Sequence, residues 1–306
     1  MTDESGGMRA YDVLVVGSAN ADLMVRVDRR PGAGETVLGT DLVESAGGKG
    51  ANQAAAAARL GARTVLLARV GDDAYGELLL DAQRSAGTDV RHVRVEGGAR
   101  TGTAMIVVGP DGDNAIVVSP GANARLSPDD VAAARPLFAA SAVVCLQLEI
   151  PPETVRAAVA SAGEAGARVV LNPSPVPDGL DPELLAAADP LVVNEHEARL
   201  LSGDAAGDAA GWARALRDRG ARSVVVTLGG EGALALDGTA PEPVAVPGVV
   251  VRAVDTTGAG DAFTGALAAQ LAGGGPRGGG GRVGGGGGGA GGAPPGGPAG
   301  YPPGGA

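Results

Sequence analysis

The feature that most constrains this chain is a rhythm: short, continuous apolar runs alternate with helical patterns along most of its length. "YDVLVVGSAN" (11–20) reads as a buried strand, "ANQAAAAARLGA" (51–62) as a helix closed by Gly61, and "TVLLARVG" (64–71) as the next strand. A second helix, "ELLLDAQRSAG" (77–87), follows. Further on, "SAVVCLQLEI", "PETVRAAVASAGEAG" and "ARVVLNPS" make a strand–helix–strand unit, as do "DPLVVN", "GWARALRDRGA" and "RSVVVTLGG". A strand that is apolar along its whole length is buried on both faces. Helices between such strands carry the chain back over the sheet. The pattern therefore predicts an α/β fold with a mostly parallel central sheet covered on both sides.

Two segments break the rhythm. Residues 22–45 read as short strands with a Pro-Gly turn, and residues 101–119 as a hairpin around Gly109-Pro110-Asp111-Gly112. Together they predict a small β-sheet outside the main one. It would serve as a lid over the carboxyl ends of the parallel strands, where open α/β sheets bind ligands; a surface hairpin without function is the other reading. At 306 residues the chain is long enough for one large buried core, which 44% apolar but only 2% aromatic residues must build from Val, Leu, Ala and Ile. A net charge of −11 argues against a nucleic-acid partner. Cys145 is the only cysteine, so no intrachain disulfide forms and a reducing compartment is expected. No apolar run reaches membrane-spanning length, and the first ten residues are unlike a signal peptide. The expectation is a cytoplasmic protein with a disordered leader at 1–10. From Ala272 to Ala306 only Val283 and Tyr301 are not Gly, Ala, Pro or Arg, so this tail is expected to be disordered.

Chemistry concentrates in a few short runs. In "TTGAGDAF" (256–263) a Gly-Ala-Gly turn opens a helix, and the amides of Gly258, Ala259 and Gly260 make a ready anion site. Asp261 follows at once. A carboxylate there makes sense as the acceptor of a hydroxyl proton while the amides stabilise a transferring phosphoryl group; a helix-start residue facing the dipole is the plainer alternative. No Gly-Lys-Ser/Thr follows, and Phe263 stands where a dinucleotide fingerprint needs glycine. "GGKGANQAAAAARLG" (47–61) sets Lys49 and Asn52 beside a glycine-rich turn, able to bond hydroxyls. Asn20 and Asp22, placed just past the first strand, suit sugar hydroxyls or an Asx turn. Glu149 ends a buried strand, where a charge needs a reason. Asn194 and Glu197 either orient phosphate or water on Mg²⁺ or simply begin a helix. His92 and His196 have no partner at metal-ligand spacing.

Taken together, these runs resemble the ribokinase branch of the PfkB carbohydrate kinase family. "GSANAD" (17–22), "PGAGET" (31–36), "GGKGANQA" (47–54), "GDDAYGE" (71–77), "TGTA" (101–104), "GAN" (121–123), "QLEIP" (147–151), "LNPSP" (171–175), "NEHE" (194–197), "TLGGEG" (227–232) and "DTTGAGDAFTGAL" (255–267) occur in family order. The resemblance spans residues 11–271 and implies a ribokinase-like three-layer α/β/α sandwich with a small β-sheet lid. It implies sugar contacts at Asn20, Asp22, Gly48, Lys49, Asn52 and Glu149, with Ala21, Gly50 and Ala51 among them. Asp261 would be the base that activates the primary hydroxyl of D-ribose, and residues 258–260 the hole for the γ-phosphate. Asn194, Thr227, Gly229 and Gly232 would belong to the ATP site with Leu228, Gly230 and Glu231, next to Gly260 and Asp261. Glu197 would help order Mg²⁺, and Asp255 and Thr257 would be two ligands of an activating K⁺. The lid resembles the family's β-clasp, commonly a homodimer interface. The products would be ribose 5-phosphate and ADP. The rivals are a family kinase for another sugar or a nucleoside, and a sugar- or nucleotide-binding protein without turnover.

One departure stands out. After "FTGAL" the family continues with further helix and a segment resembling N-A-A-A-A-x-x-V-T-R-x-G-A, which supplies the remaining cation ligands and a wall of the adenine pocket. The tail carries none of it. An abrupt change to Gly, Ala, Pro and Arg, whose codons are GC-rich, is what a shifted reading frame gives, and a genuine low-complexity extension is the alternative; resequencing the locus separates them. Since a domain's whole stability is about 5–15 kcal/mol, the expected outcome is a chain that is unstable or weakly active. Ribose- and K⁺-dependent ADP release at ordinary kinase rates would overturn that.

Overall fold

The apolar runs fold into one large sheet. The computed structural model describes residues 9–238, 240–251 and 256–273; most of the expected leader (1–8), Asp255 and the tail from 274 lie outside the described residues. In chain order the elements are β1 (Tyr11–Val16), β2 (Asn20–Arg26), β3 (Val43–Gly47), α1 (Lys49–Arg59), β4 (Thr64–Gly71), α2 (Ala74–Ala86), β5 (Val93–Glu96), β6 (Gly102–Val108), β7 (Asn114–Ser119), α3 (Pro128–Ala133), α4 (Arg135–Ala139), β8 (Ser141–Leu146), α5 (Pro152–Glu164), β9 (Arg168–Leu171), α6 (Pro182–Ala187), β10 (Ala188–Asn194), α7 (Glu195–Ser202), α8 (Ala209–Asp218), β11 (Val224–Thr227), β12 (Gly232–Leu236), β13 (Val244–Pro247) and α9 (Ala259–Leu271). The main sheet has the order β13-β12-β11-β10-β9-β8-β1-β4-β5. From β5 to β11 every neighbouring pair is parallel. Two antiparallel strands, β12 and β13, extend one edge; the sequence pattern had not separated them from the loops.

Alternation along β1 explains the three layers. Val13 and Val15 point to one face, where they meet Ala54 and Ala57 of α1 and Ala268 and Ala269 of α9. Leu14 and Val16 point to the other, which is covered by Val155 and Ala158 of α5, Leu201 of α7 and Trp212 and Leu216 of α8. Successive strand residues face opposite ways, so a strand with helices on both sides has to be apolar at every position.

The segments that broke the rhythm form a second sheet in the order β3-β2-β6-β7. In it β2 pairs parallel with β6, and the other pairs are antiparallel. It follows directly from the carboxyl end of β1 and so stands at the edge where the parallel strands end. Asp73 secures its base: this carboxylate caps α2 through the Gly76 N–H (2.9 Å) and accepts from the Thr101 N–H (2.9 Å) and hydroxyl (2.6 Å), just before β6. Asn20 and Asp22 lie just past the first strand, as expected, and there already belong to β2, paired with Gly47 and Ser45 of β3. One placement differs from expectation: Glu149 is not at a strand end. Strand β8 stops at Leu146, its last residue paired with β9, and Glu149 lies in the loop beyond.

The contact that sets the site is that of α1 on α9. An ideal Cβ built on Gly265 would fall 2.2 Å from the Gln53 carbonyl oxygen and 2.9 Å from Ala56 Cβ. At Gly265 there is no room for a side chain between these helices, in keeping with the alanines that the two bury against each other. Gly265→Ala is therefore expected to cost about 1–3 kcal/mol, as overpacking does. Gly163→Ala, at a glycine of α5 with nothing within 4 Å of an added Cβ, is expected to be neutral or to stabilise by up to about 1 kcal/mol. Denaturant midpoints of the two variants check this; equal effects would refute the packing argument.

Candidate active site

The first half of the site is built where β1 ends. Gly50 comes so close to the Gly17–Ser18 backbone that an added Cβ would lie 2.7 Å from it. This approach lets the start of α1 bond the turn: the Ala51 N–H donates to the Ser18 carbonyl (2.8 Å) and the Gly50 N–H to the Ser18 hydroxyl (3.3 Å). That hydroxyl in turn donates to Glu149 Oε2 (2.5 Å), which also accepts from the Lys49 N–H (3.2 Å). Asn20 is buried, and its Oδ1 accepts from Asn123 Nδ2 (2.7 Å), while Asn123 also bonds both backbone groups of Ala19. The expected sugar residues Asn20, Ala21, Asp22, Gly48 to Asn52 and Glu149 are thus gathered from three segments to one end of the sheet. The charge that the sequence placed at Glu149 has its partners in Ser18 and Lys49.

The second half is the start of α9. Gly258, in the left-handed region (φ 71°), precedes the helix, and the Ala262 N–H bonds the Gly258 carbonyl (2.8 Å). Asp261 is only 7% exposed. Its Oδ2 accepts from Asn52 Nδ2 (3.1 Å) and its Oδ1 from Gln53 Nε2 (3.4 Å). Burial pushes this carboxyl above the usual range and nearby Glu149 pushes the same way, against Lys49, Asn52 and Gln53, which favour the anion. A carboxylate raised in this way is a stronger proton acceptor. Asp22 is raised to about 6, by burial first and then by the charges of Glu149 and Asp261.

A cavity lies at the start of α9 and reaches the first half at Lys49, while Asn20, Asp22, Asn52 and Glu149 are not among its lining residues. It is lined by Lys49, Asn172, Asn194, Glu197, Thr227, Thr256, Gly258, Ala259, Gly260, Asp261 and Thr264, with Val192 and Val193 as its floor. Asn194 and Glu197 form a reciprocal cap at the start of α7, Asn194 Oδ1 accepting from the Glu197 N–H (2.8 Å) and Glu197 Oε2 from the Asn194 N–H (3.0 Å). The helix-start role is real, and the same residues also face the cavity. The turn amides are not all alike: the Ala259 N–H is engaged by the Thr256 carbonyl (3.1 Å). Residues 228–232 do not line the cavity. They make the tight turn from β11 into β12, closed by the Leu228 N–H on the Gly232 carbonyl (2.8 Å). Thr257 sits in the turn before α9, and Asp255 lies outside the described residues. Among the described residues no three His, Cys, Asp or Glu side chains group as a metal cage.

The chain matches the pfkB family carbohydrate kinases over residues 10–280. It belongs to that family. It is 39% identical over 266 residues to the ribokinase of Mus musculus, covering 86% of this chain and 82% of that protein. To the deoxyribokinase of Salmonella typhi it is 37% identical over 260 residues, covering 84% of each. Among solved structures, the Arabidopsis thaliana ribokinase complexed with ribose and ATP aligns with a TM-score of 0.78 at 33% identity, covering 88% of both chains. The ribokinase-like α/β fold expected from the motifs is therefore the fold observed, with the cavity at the end of the sheet where the pfkB-family motifs converge.

Several polar residues inside the recognised motifs had been given no part. Ser18, Gln53, Asn123, Gln147 and Asn172 are all buried, and each bonds a residue of the site or the backbone that carries it. For four of them a signal was there: Ser18, Gln53, Gln147 and Asn172 are polar residues inside or beside otherwise apolar runs, whereas Asn123 lies in the polar stretch 119–125.

Asp22 yields a test of sign. A carboxyl whose folded pKa is raised stabilises the fold below its unfolded pKa and loses that contribution as pH rises through the folded value. Removing the charge should then help the ligand-free protein most at high pH. Asp22→Asn is expected to stabilise it by about 1–2 kcal/mol at pH 7.5, after allowing for partial exposure. The gain should shrink through pH 6, the raised value of Asp22, and be gone near pH 4. Denaturant unfolding across this range checks it; a variant less stable than the parent at pH 7.5 would contradict the repulsion.

Proposed function

We infer that the chain transfers the γ-phosphoryl group of ATP to the primary hydroxyl of D-ribose, giving ribose 5-phosphate and ADP. The observation that carries this is the position of Asp261: a buried carboxylate in the first turn of a glycine-opened helix, sharing one cavity with Lys49, Asn194 and Thr227. Similarity to ribokinases, one of them solved with ribose and ATP, supports the choice of substrates. A 2-deoxy sugar is the second reading, favoured by the comparable identity to a deoxyribokinase.

On this reading Asn20, Asp22, Lys49, Asn52 and Glu149 hold the sugar hydroxyls. The primary hydroxyl loses its proton to the Asp261 carboxylate as its oxygen bonds the γ-phosphorus. The bond from that phosphorus to the bridging oxygen breaks, and ADP leaves with the electron pair. The first-turn backbone of α9 takes the charge that spreads over the phosphoryl oxygens, and Asn194, Thr227 and the 228–232 turn border the nucleotide. Glu197, the cavity carboxylate other than Asp261, fits Mg²⁺ held mainly through substrate phosphates and water; when bound, the ion neutralises phosphate charge. Asp255 and Thr257 are proposed ligands of K⁺, which would steady the turn before α9.

A homodimer through the small sheet is part of the proposal. Leu42, Met105, Ile116, Val117 and Val118 expose apolar surface there, and every residue of β7 is exposed, a surface that a partner would cover. A cytoplasmic location is proposed with it: no described helix is long and apolar enough to cross a membrane, and the single cysteine is buried with its thiol pushed up to about 12.

Asp261→Asn is expected to lower ribose-dependent ADP release by at least about a thousandfold while ribose still raises the melting temperature. Near-normal turnover would remove Asp261 as the base. The same assay with 2-deoxyribose, and with Na⁺ in place of K⁺, decides the sugar and the cation, and light scattering of the sample decides the dimer.

A further inference from the structure

Beneath Asp261 lie two glutamines that the proposed chemistry leaves unused. Gln53 and Gln147 are both 0% exposed. Gln53 belongs to α1, and Gln147 follows β8, two residues before Glu149. Gln147 Nε2 donates to Gln53 Oε1 (2.6 Å), and Gln53 Nε2 donates to Asp261 Oδ1 (3.4 Å). Gln147 Oε1, at the far end, is buried without a hydrogen-bond partner among the described residues. It occupies the space above Gly17, where an added Cβ would lie 2.0 Å from it.

Two fully buried amides in series, ending on an unpaired oxygen, are costly unless something requires them. Their polarity supplies a requirement. Each amide has one donating and one accepting end, so an ionised Asp261 forces the order Gln147 to Gln53 to carboxylate. If Asp261 carries a proton, both amides can turn over. Gln53 Oε1 then accepts from the carboxyl, Gln53 Nε2 donates to Gln147 Oε1, and Gln147 Nε2 becomes the unpaired atom. Each state has the same number of hydrogen bonds, so the pair lets Asp261 gain or lose a proton without leaving its buried Oδ1 unsatisfied.

We propose that Gln53, backed by Gln147, is a positioning residue that fixes the Asp261 carboxylate and follows its change of protonation by turning over. This rests on the reading of Asp261 as the base. The other groups that act on Asp261 are Lys49 and Asn52 of α1 and Glu149 of the loop after β8. Asp22 of β2 is within its electrostatic reach, and Glu197 of α7 faces the same cavity. None of these belongs to the relay. Because the bond to an anion is the stronger of the two, losing the relay should make Asp261 easier to protonate.

The test is carbon-13 NMR of the full chain labelled at aspartate carboxyls, with the Asp261 signal assigned by its loss in Asp261→Asn. Gln53→Met keeps the length and removes the amide. Its Asp261 midpoint is expected to rise by on the order of one pH unit, and that of Gln147→Met by less in the same direction. Gln147→Met carries the test where Gln53→Met does not fold. An unchanged or lowered midpoint overturns the relay whether or not the chain phosphorylates ribose. Turnover of the parent chain tests the functional reading separately. Where it turns over, Gln53→Met should lower kcat on the order of ten- to a hundredfold, move the acid limb of the kcat profile to higher pH and leave the ribose KM within about threefold. A fall in kcat with an unmoved limb would mark Gln53 as packing alone and overturn the proposal.

Discussion

Asp261 is 7% exposed, and an ionised carboxyl held so far from water has to be met by donors. The side-chain donors, Asn52 and Gln53, both belong to α1, about two hundred residues away in sequence. The fold must therefore bring α1 and α9 close enough for side chains as short as Asn to cross between them. Gly265, set against the Gln53 carbonyl, and the alanines on both helices provide that closeness. Much else follows from it. The two helices cover one face of β1 and β8, and the sheet fixes which strand ends surround the carboxylate. A larger residue at the crossing would separate Asp261 from its donors as well as loosen the core.

The same economy of space operates at the end of β1. The Gly17–Ser18 turn lies against Gly50, and the Ser18 hydroxyl links the start of α1 to Glu149. The chain then enters β2 at Asn20 after three residues. The small sheet is thus anchored to the main one on the very residues proposed to hold the sugar. Asn123, after β7, bonds Asn20 and the Ala19 backbone and brings the far end of the small sheet back to this point. A ligand held by Asn20 and Asp22 would act on the base of the lid directly, without a separate transmitting element.

How much of this was legible in the sequence divides along physical lines. Strands buried on both faces were readable because short continuous runs rich in Val, bounded by glycine and small residues, favour a strand over a helix; "TVLLARVG" coincides with β4 to the residue. Edge strands were not. In β13 all but one of the residues are exposed, and the segment carries no periodic signal. The residues proposed to face the ligands stood out because polar groups and glycines interrupt apolar runs. Their geometry was not, since a sequence cannot say that Asn20 and Asp22 enter a new strand at once, or that 228–232 makes a tight turn from β11 into β12. Buried polar residues such as Gln53 and Gln147 were the hardest. Amid alanines and strand residues they read as incidental, and only the contact across three segments gives them a partner.

Burial and the charge of Glu149 raise the proton affinity of both Asp22 and Asp261, Asp261 adds to the effect at Asp22, and Lys49 opposes it at Asp261. Such a cluster is a poor way to stabilise an empty protein. It becomes intelligible if the missing component is a ligand rich in hydroxyl donors and carrying no charge. A polyhydroxy sugar would satisfy Asp22 and Glu149 through hydrogen bonds without adding repulsion, whereas an anionic substrate at the same place would meet three like charges. On the proposed reading the anionic substrate lies on the other side of Asp261, where among the described lining residues Thr227 and the start of α9 before Asp261 carry no negative side chain and Glu197 calls for a cation. The distribution of charge around one carboxylate therefore sorts the two proposed substrates before any shape is considered: neutral hydroxyls on the side of β2 and Glu149, phosphates on the side of the helix start.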